Sequence, residues 1–348
     1  MASSETVLKP SILVIGGAGY LGSHMVRALQ NAQYQPVVFD NLSTGHRALV
    51  PEGVPFVKGD LQNPEDVRKV FKEFRLSAAM HFAASSIVPE SVREPLKYYR
   101  NNTGAFLNLL EEMIARDVRK LIFSSTAAVY GEPVEVPIKE DAVPKPLNPY
   151  GQSKWMMEQI LADVFSAHRL SYVVFRYFNA AGAHASGDTG ERHYPETHLI
   201  PNLLAAAAGE RRQFMVFGDN YPTRDGTCVR DYVHVEDLCQ AHLQALRYLE
   251  QGGASDVFNL GSEQGYSVKE VIAAAEQVTG RKIPLKIADR RPGDPATLIA
   301  DSQKAKRVLG WKANENLETI LRSAYEWYQR SSQKKAGEAR PELAGLHE

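Results

Sequence analysis

A tyrosine and a lysine stand four residues apart in the segment NPYGQSK. Asn148 is a suitable N-cap and Pro149 suits the first position of a helix, so a helix is predicted to begin there. Residues at positions i and i+4 lie on one face of a helix, which places Tyr150 beside Lys154. An ammonium group near a phenol stabilises the phenolate and lowers the tyrosine pKa from about 10. Tyr150 is therefore a candidate general base, although an ordinary amphipathic surface helix would give the same spacing.

A short apolar run, Ile12–Ile15, is followed by the glycine-rich segment GGAGYLG and then by apolar residues at helical spacing. Gly16, Gly19 and Gly22 allow a tight turn, and they let the backbone approach a pyrophosphate at the N-terminus of a helix. The next apolar run ends in Asp40, whose carboxylate would accept hydrogen bonds from an adenosine ribose and repel a 2′-phosphate. Strand, glycine turn, helix and acid together predict a dinucleotide site that prefers NAD to NADP.

Apolar runs typical of buried strands alternate with helical patterns through the first half of the chain. Beyond the two strands above, further strands are predicted at Val54–Val57, Ala78–Phe82, Lys120–Ser124 and Tyr172–Phe175. This alternation predicts an α/β fold, a Rossmann-type doubly wound parallel sheet with helices on both faces. Ligands of such sheets bind beyond the carboxyl ends of the strands, where the glycine turn, Ala83 and Ser124 fall.

The pattern changes after about Ala180, where loops rich in glycine and charged residues alternate with shorter elements. We predict an NAD-binding domain over residues 1–180, a smaller C-terminal α/β substrate domain over 181–330 and a polar tail over 331–348. Val229–Val235 and Val257–Leu260 are expected to return to the first domain. The domain boundary is therefore not a single cut in the chain.

Charge and cysteine content limit the kinds of partner. Among 348 residues, Lys and Arg number 40 against 41 Asp and Glu, so no overall charge favours nucleic acid or an anionic membrane. The N-terminus lacks the apolar core of a signal peptide, and no apolar run is long enough to span a membrane. Cys228 and Cys239 are expected to be reduced thiols, and the histidine spacing indicates no metal site. We expect a cytoplasmic protein without nucleic-acid, membrane or metal partners.

Several longer motifs carry a resemblance to a known family. They are GGAGYLGSH, DNLSTGH, GDL, HFAA, SSTAAVYG, NPYGQSK, RYFNAAGAH, DGTCVRDYVHVEDL and RRPGD. From about Ile12 to Tyr328 the chain resembles the extended short-chain dehydrogenase/reductase family, and within it the UDP-glucose 4-epimerases. The resemblance implies NAD as cofactor, a UDP-sugar as substrate and a homodimer formed through two helices, one before Lys120–Ser124 and one after Asn148. Candidate apolar contacts of that dimer are Leu109, Leu110, Met113, Met156 and Phe165.

The same resemblance implies a reaction, the NAD-dependent inversion of the C4 hydroxyl of UDP-galactose or UDP-glucose. Tyr150 would be the base, Lys154 would hold the phenolate and bond the nicotinamide ribose, and Thr126 would bridge the sugar hydroxyl and the tyrosine. Hydride passes from C4 to NAD, the transient 4-keto sugar rotates about its diphosphate linkage, and hydride returns to the opposite face. The cofactor is expected to stay bound through turnover.

Matching positions in the family assign the remaining contacts. The expected cofactor-binding residues are Gly16, Gly19, Tyr20, Leu21, Gly22, Asp40, Asn41, Asp60, Leu61, Phe82, Ala83, Ala84, Asn101, Ser124, Tyr150, Lys154 and Tyr177. The expected substrate-binding residues are Thr126, Tyr150, Asn179, His198, Leu199, Arg230, Arg291 and Asp294. Among them, Asn179 and the two arginines would bind the diphosphate and Asp294 the uridine ribose, whereas His198 stands where the best-known members carry asparagine.

Other activities of the same fold stay open. Ala127 and Ala128 follow Thr126 where dehydratase relatives carry acidic residues, which argues against 4,6-dehydration. The alternatives are a 4-epimerase of an N-acetylhexosamine, pentose or uronate, an oxidoreductase that releases NADH, and a nucleotide-sugar-binding protein without epimerase activity. Leu298 falls near the position that gates an N-acetyl group at C2, and its bulk favours UDP-glucose and UDP-galactose.

Overall fold

A seven-stranded, all-parallel sheet organises the larger part of the protein. The structure is a computed structural model that describes residues 11–291 and 294–338. The strands of this sheet are β1 (Ser11–Ile15), β2 (Gln35–Asp40), β3 (Phe56–Lys58), β4 (Leu76–His81), β5 (Lys120–Thr126), β6 (Ser171–Tyr177) and β10 (Asp256–Leu260). Their order is β10-β6-β5-β4-β1-β2-β3. The chain therefore runs outward in both directions from β1, and the crevice beyond β1 and β4 is where such sheets bind ligands.

Helices cover both faces of this sheet, which confirms the predicted Rossmann-type doubly wound fold. The helices are α1 (Tyr20–Asn31), α2 (Pro64–Glu73), α3 (Val88–Arg93), α4 (Pro95–Tyr98), α5 (Ala105–Ala115), α6 (Pro149–His168) and α8 (Val235–Glu250). One apolar cluster joins α1 and α8 to one face, and a second joins α2, α5 and α6 to the other. The central strands are buried on both faces, which explains why their sequences are continuous apolar runs.

A smaller part of the protein is built on two short sheets. Strands β7 (Asn179–Ala181), β9 (Val229–His234), β11 (Gly265–Ser267) and β13 (Thr297–Leu298) form a four-stranded sheet, and β8 (Phe214–Phe217) pairs with β12 (Leu285–Ala288). The surrounding helices are α7 (Leu199–Ala207), α9 (Val268–Thr279), α10 (Gln303–Leu309) and α11 (Leu317–Glu338). A third apolar cluster, formed mainly by α7, α9 and α11, is the core of this part.

The segment from residue 229 to 260 is divided between the two parts. Strand β10 pairs with β6 in the large sheet, and α8 packs against α1. Strand β9 instead pairs with β7, β11 and β13 in the small sheet. The expectation that Val229–Val235 returns to the first domain is therefore wrong for the strand, because its pairing partners lie elsewhere.

Several local predictions can be checked at the ends of helices. Asn148 caps α6, since its side-chain oxygen accepts a hydrogen bond from Gly151 N at 2.9 Å. Ser267 and Glu270 form a reciprocal capping box at the start of α9. Helix α11 continues through residue 331 to Glu338, so that much of the predicted polar tail is helical, and 339–348 lie outside the described residues. Among the residues described, none of the helices is both long and apolar enough to cross a membrane.

Candidate active site and cofactor cleft

Helix α6 delivers Tyr150 and Lys154 to the end of β5. Its first turn lies close to the backbone that follows β5, because a Cβ on Gly151 would stand 2.6 Å from Ala128 O. Ala128 N donates a hydrogen bond to Thr126 Oγ1 at 3.1 Å, which fixes the threonine at the strand end. The side chain of Thr126 lies close enough to the Tyr150 hydroxyl to lower its pKa. The predicted catalytic tyrosine and threonine therefore meet at the carboxyl end of the sheet.

Lys154 is buried and points to the backbone of β5. Its Nζ donates to Ser124 O at 2.8 Å and lies 4.9 Å from the centre of the Phe123 ring. Burial lowers the pKa of Lys154 to about 7, and the charge of Glu158 opposes this shift. Burial also raises the pKa of Tyr150, although the hydrogen bond with Thr126 lowers it. The expected lowering of the Tyr150 pKa by Lys154 is thus not found in this structure, because Lys154 Nζ is turned to Ser124 O and burial of the phenol raises the pKa.

The glycine turn has the close packing that a dinucleotide site requires. Gly16 has a φ of +78°, and a Cβ there would stand 2.7 Å from Ala83 N. A Cβ on Gly22 would stand 2.1 Å from Gly16 O. Gly19 precedes α1 as its N-cap and offers no side chain to occupy the helix N-terminus. The backbone N–H groups of the first turn can therefore bind an anion, and the residues present fit the pyrophosphate of NAD.

Asp40 lies at the end of β2 and closes the other side of this turn. Its carboxylate accepts hydrogen bonds from Ala18 N at 2.9 Å and from Leu42 N at 2.8 Å. Burial raises the pKa of Asp40, and these two hydrogen bonds oppose the shift. Next to it, Asn41 Nδ2 donates to Asp60 Oδ2 at 3.0 Å. Asp40 therefore fixes the loop geometry as well as standing where a ribose would bind.

The other predicted cofactor residues lie mostly along the same edge. Phe82 N donates to Ile15 O at 2.8 Å, which holds the segment Phe82–Ala84 against the glycine turn. Asn101 lies in a π-helical segment and donates to Ser85 Oγ at 3.1 Å. Burial raises the pKa of Tyr177, and the neighbouring Ser124 side chain opposes this shift. Tyr20 differs, because its hydroxyl donates to Gly182 O at 2.7 Å and its side chain is buried there.

Leu61 and Leu21 present no free side chain to a cofactor. Leu61 is buried in the apolar cluster of α2 and α5, and its carbonyl accepts from Asn108 Nδ2 at 2.7 Å. Leu21 packs against the cluster of α1 and α8. Both residues can therefore contribute to a cofactor site only through the backbone.

The predicted substrate side contains an ion pair that the sequence did not indicate. Arg230 and Asp294 are bonded to each other, although the first was assigned to a phosphate and the second to a ribose. Arg230 is buried and also donates to Val229 O at 2.8 Å. Arg291 is exposed and lies with its guanidinium 3.9 Å from the centre of the Phe217 ring. Asn179 is exposed at the start of β7, opposite Tyr232 of β9.

His198 belongs to a compact group of two histidines and two glutamates. Glu191 Oε1 lies 2.8 Å from His198 Nδ1 and 3.3 Å from His193 Nδ1, and Glu196 Oε1 lies 3.0 Å from His198 Nδ1. Burial lowers the pKa of both histidines, but the carboxylates outweigh it and raise that of His193 to about 9 and that of His198 to about 10. Leu199, predicted to bind the substrate, begins α7 directly after this group.

A buried polar network under the catalytic helix is a second feature that sequence reasoning missed. Glu158, one turn after Lys154 on α6, binds the Arg176 guanidinium with an Oε2–Nη2 distance of 2.6 Å. Ser125 donates to the same carboxylate, and Arg176 Nη1 donates to Tyr130 Oη at 3.0 Å. The network ties α6 to β5 and β6, and so fixes the helix that carries Tyr150. Its only signal in the sequence is a charged residue on an apolar helix face.

The packing of the glycine turn makes a testable prediction. In Gly22→Ala the new Cβ would collide with Gly16 O at 2.1 Å, so the turn must open. We expect NAD affinity to fall by about tenfold or more, equivalent to about 1.4 kcal/mol, when bound NAD is titrated by fluorescence. Gly104→Ala is the matched control, because Gly104 has a helical φ of −64° and its Cβ would stand 3.6 Å from Tyr99 O. Equal affinity of the two variants would contradict the assigned role of the turn.

The glycine turn, Asp40 and the Tyr150–Lys154 pair define a Rossmann-fold enzyme that binds a dinucleotide at the carboxyl edge of its sheet. Comparison with known proteins identifies its family. The model of the NAD dependent epimerase/dehydratase family matches residues 12–261. The chain belongs to this family.

Relatives and solved structures agree with this assignment. The chain is 50% identical over 320 residues to the UDP-glucose 4-epimerase of Lacticaseibacillus casei, covering 92% of this chain and 97% of the relative. A UDP-glucose 4-epimerase from Brucella ovis, solved in complex with NAD, is 44% identical with a TM-score of 0.88 and covers 91% of this chain and 97% of its own. A Bifidobacterium longum UDP-glucose 4-epimerase, solved with NAD+ and UDP, is 39% identical with a TM-score of 0.88 and covers 92% and 99%.

Proposed function

We propose that the protein is an NAD-dependent 4-epimerase that interconverts UDP-galactose and UDP-glucose. The proposal rests on Tyr150, Thr126 and Lys154, which lie together at the end of β5. Only β4 separates β5 from β1, the strand that leads into the glycine turn. The names and coverage of the relatives support the same activity and the same cofactor. When bound, NAD supplies a hydride acceptor and a positively charged nicotinamide ring.

The residues of the chain then have distinct tasks. Thr126 holds the C4 hydroxyl of the sugar and Tyr150 removes its proton, a role that requires the tyrosine pKa to fall towards neutrality. Lys154 sits within reach of the backbone at Ser124 and adds the positive charge that favours the phenolate. On return of the hydride, Tyr150 gives the proton back, so the reaction is an inversion at C4 with no net oxidation.

Rotation of the keto sugar requires a fixed diphosphate. We assign this anchoring to Asn179, Arg230 and Arg291, because guanidinium groups match the oxygens of a diphosphate. Arg230 is held by Asp294, which orients the guanidinium but also competes for it. In this proposal phosphate oxygens of the substrate replace part of the contact between Asp294 and the Arg230 guanidinium.

The residues after Thr126 argue against elimination of water. Ala127 and Ala128 form a short 3-10 turn with Val129, and Ala127 is buried. A dehydratase needs a carboxylate there to remove the C5 proton, and a methyl group cannot do so. The proposed choice of a hexose without an N-acetyl group rests on Leu298, which lies at the edge of the small sheet and packs against the apolar cluster that contains Phe178 and Tyr130.

The experiment that tests the function is a proton NMR time course with UDP-galactose and no added NAD. Growth of the anomeric signal of UDP-glucose towards an equilibrium mixture is the expected result. A parallel reaction with UDP-N-acetylgalactosamine is expected to be slower, because of Leu298. Unchanged UDP-galactose in a sample that contains bound NAD would overturn the proposal and direct attention to pentose and uronate substrates.

We further propose that the protein is a cytoplasmic homodimer. The cytoplasmic location is supported by two buried free thiols, Cys228 and Cys239, which suit a reducing compartment. Leu109, Leu110 and Met113, expected at the dimer contact, are buried in the core of their own chain and cannot reach a partner. Leu107 on α5 and Phe165 on α6 are instead exposed by 44% and 40%, and we assign the contact to them.

A charge placed on this helix pair tests the dimer. Leu107→Glu buries a carboxylate in the proposed interface, so we expect the dimer dissociation constant to rise by about tenfold or more in sedimentation velocity experiments. Val143→Glu is the control, since Val143 is exposed by 83% and belongs to a loop, not to α5 or α6. Equal association of both variants would place the interface elsewhere.

A further inference from the structure

The four side chains of Glu191, His193, Glu196 and His198 meet around one point. One ligand atom of each lies within 4.8 Å of the others. The separations between nitrogen and oxygen atoms are 2.8, 3.0, 3.3 and 3.8 Å. Ligands bound to zinc at about 2.0–2.2 Å in a tetrahedron stand roughly 3.3 Å apart, and the four separations lie on both sides of that value, with Glu196 presenting Oε2 to His193 and Oε1 to His198.

The backbone that carries these side chains is held from outside the group. Trp327 Nε1 of α11 donates to Glu191 O at 2.9 Å, and a Cβ on Gly190 would collide with the same indole ring. Asn202 Nδ2 of α7 donates to His198 O at 2.8 Å. Ser23 of α1 shares a hydrogen bond of 3.0 Å with Thr189, just before Glu191. The loop is therefore fixed in place by two helices of the small part and one of the large part.

Charge and hydrogen bonding favour a cation over protons alone. The rings of His193 and His198 stand with their centres 5.0 Å apart between two glutamates. Within the part of the chain that the structure describes, His193 Nδ1 is buried and makes no hydrogen bond of good geometry, although Glu191 Oε1 is 3.3 Å away. A divalent ion with two neutral imidazoles and two carboxylates is electrically balanced. It would also give the His193 nitrogen a partner.

We propose that Glu191, His193, Glu196 and His198 bind one zinc ion. The two nitrogen and two oxygen donors suit zinc, whereas magnesium and calcium prefer oxygen ligands alone. Binding displaces to solvent any proton held by the liganding nitrogens and changes no oxidation state. With four protein ligands the site is structural, and it fixes the N-terminus of α7, where Leu199 begins the helix. His198 is then a metal ligand and does not contact the substrate.

Metal binding can be measured on the full-length holoenzyme after chelation and dialysis. Calorimetric titration with Zn²⁺ is expected to give one site per chain, and Co²⁺ is expected to give the intense visible bands of a tetrahedral complex. His193→Ala should weaken Zn²⁺ binding by at least about 100-fold, since loss of even an outer-shell partner costs about 10–100-fold. His168→Ala, which removes an exposed imidazole at the end of α6, should leave binding unchanged.

A conservative variant guards against loss of the fold. Glu196→Gln keeps an oxygen that can accept from Thr197 N and His198 N, now 2.7 and 2.8 Å from the carboxylate, but removes the charge. We expect it to fold, as judged by circular dichroism, and to lose the rise in melting temperature that Zn²⁺ gives the parent protein. Absence of a tetrahedral Co²⁺ spectrum in the parent, or equal Zn²⁺ affinity in the parent, His193→Ala and Glu196→Gln, would overturn the proposal and leave an ion-pair cluster only.

Discussion

Tyr150→Phe is expected to lower kcat for the conversion of UDP-galactose to UDP-glucose by about 100- to 10,000-fold, the usual contribution of a general acid–base group. The variant removes only the hydroxyl that meets Thr126 at the end of β5. The remaining ring preserves the packing, so bound NAD should be retained. The rate is followed by NMR, and the NAD content is measured after the protein is denatured.

Tyr34→Phe is the matched control for this experiment. It makes the same chemical change on the surface, where the Tyr34 hydroxyl donates to Glu250 at 2.7 Å. Its kcat should match that of the parent. If Tyr150→Phe retains NAD and most of its activity, the proton is removed by another group. In that event Tyr177, which lies near Tyr150 and Ser124, becomes the candidate base.

The second large effect is expected from Glu158→Ala, which leaves the Arg176 guanidinium buried without its partner. Both side chains are almost fully buried, with exposures of 3% and 4%. Burial lowers the pKa of Arg176, but the hydrogen bonds and charge of Glu158 outweigh it and raise the pKa above its ordinary value. Loss of one partner of a buried pair costs about 3–5 kcal/mol, because a charge is left uncompensated. Chemical denaturation of the holoenzyme measures this change.

Two further variants distinguish the stability lost by breaking this buried ion pair from the stability lost by breaking an exposed one. Glu318→Ala breaks an exposed pair with Arg322 on α11, with side-chain exposures of 65% and 58%, and should cost less than about 1 kcal/mol. The double variant Glu158→Leu/Arg176→Met removes both charges, and should recover much of the stability lost in Glu158→Ala. A loss in Glu158→Ala no larger than in Glu318→Ala would show that the network does not hold α6 in place.

The stability prediction also bears on catalysis. Glu158 stands one turn from Lys154 on α6, and its carboxylate binds Ser125, which lies between Ser124 and Thr126 on β5. A change in this pair therefore acts on the positions of both catalytic elements. We expect the double variant to fold well but to show a lower kcat than the parent.

Features that depend on neighbours along the chain could be predicted from the amino-acid sequence. One tight turn requires glycine at positions 16, 19 and 22. The spacing of four residues places Tyr150 and Lys154 on one face of a helix. The N-cap at Asn148 and the capping box at Ser267 are equally local, and the structure contains both. Buried parallel strands are continuous apolar runs, so the large sheet could also be predicted from the pattern.

Contacts between residues far apart in the chain became visible only in the folded protein. Arg230 and Asp294 are 64 positions apart, and nothing in either segment indicates that they pair. Strand β9 is buried along its whole length like the central strands of the large sheet, yet its hydrogen-bond partners place it in the small sheet. The histidines of the Glu191–His198 loop gain their arrangement from Trp327, Asn202 and Ser23, which lie on three helices. Contacts of this kind are set by the packing of elements, which local spacing does not encode.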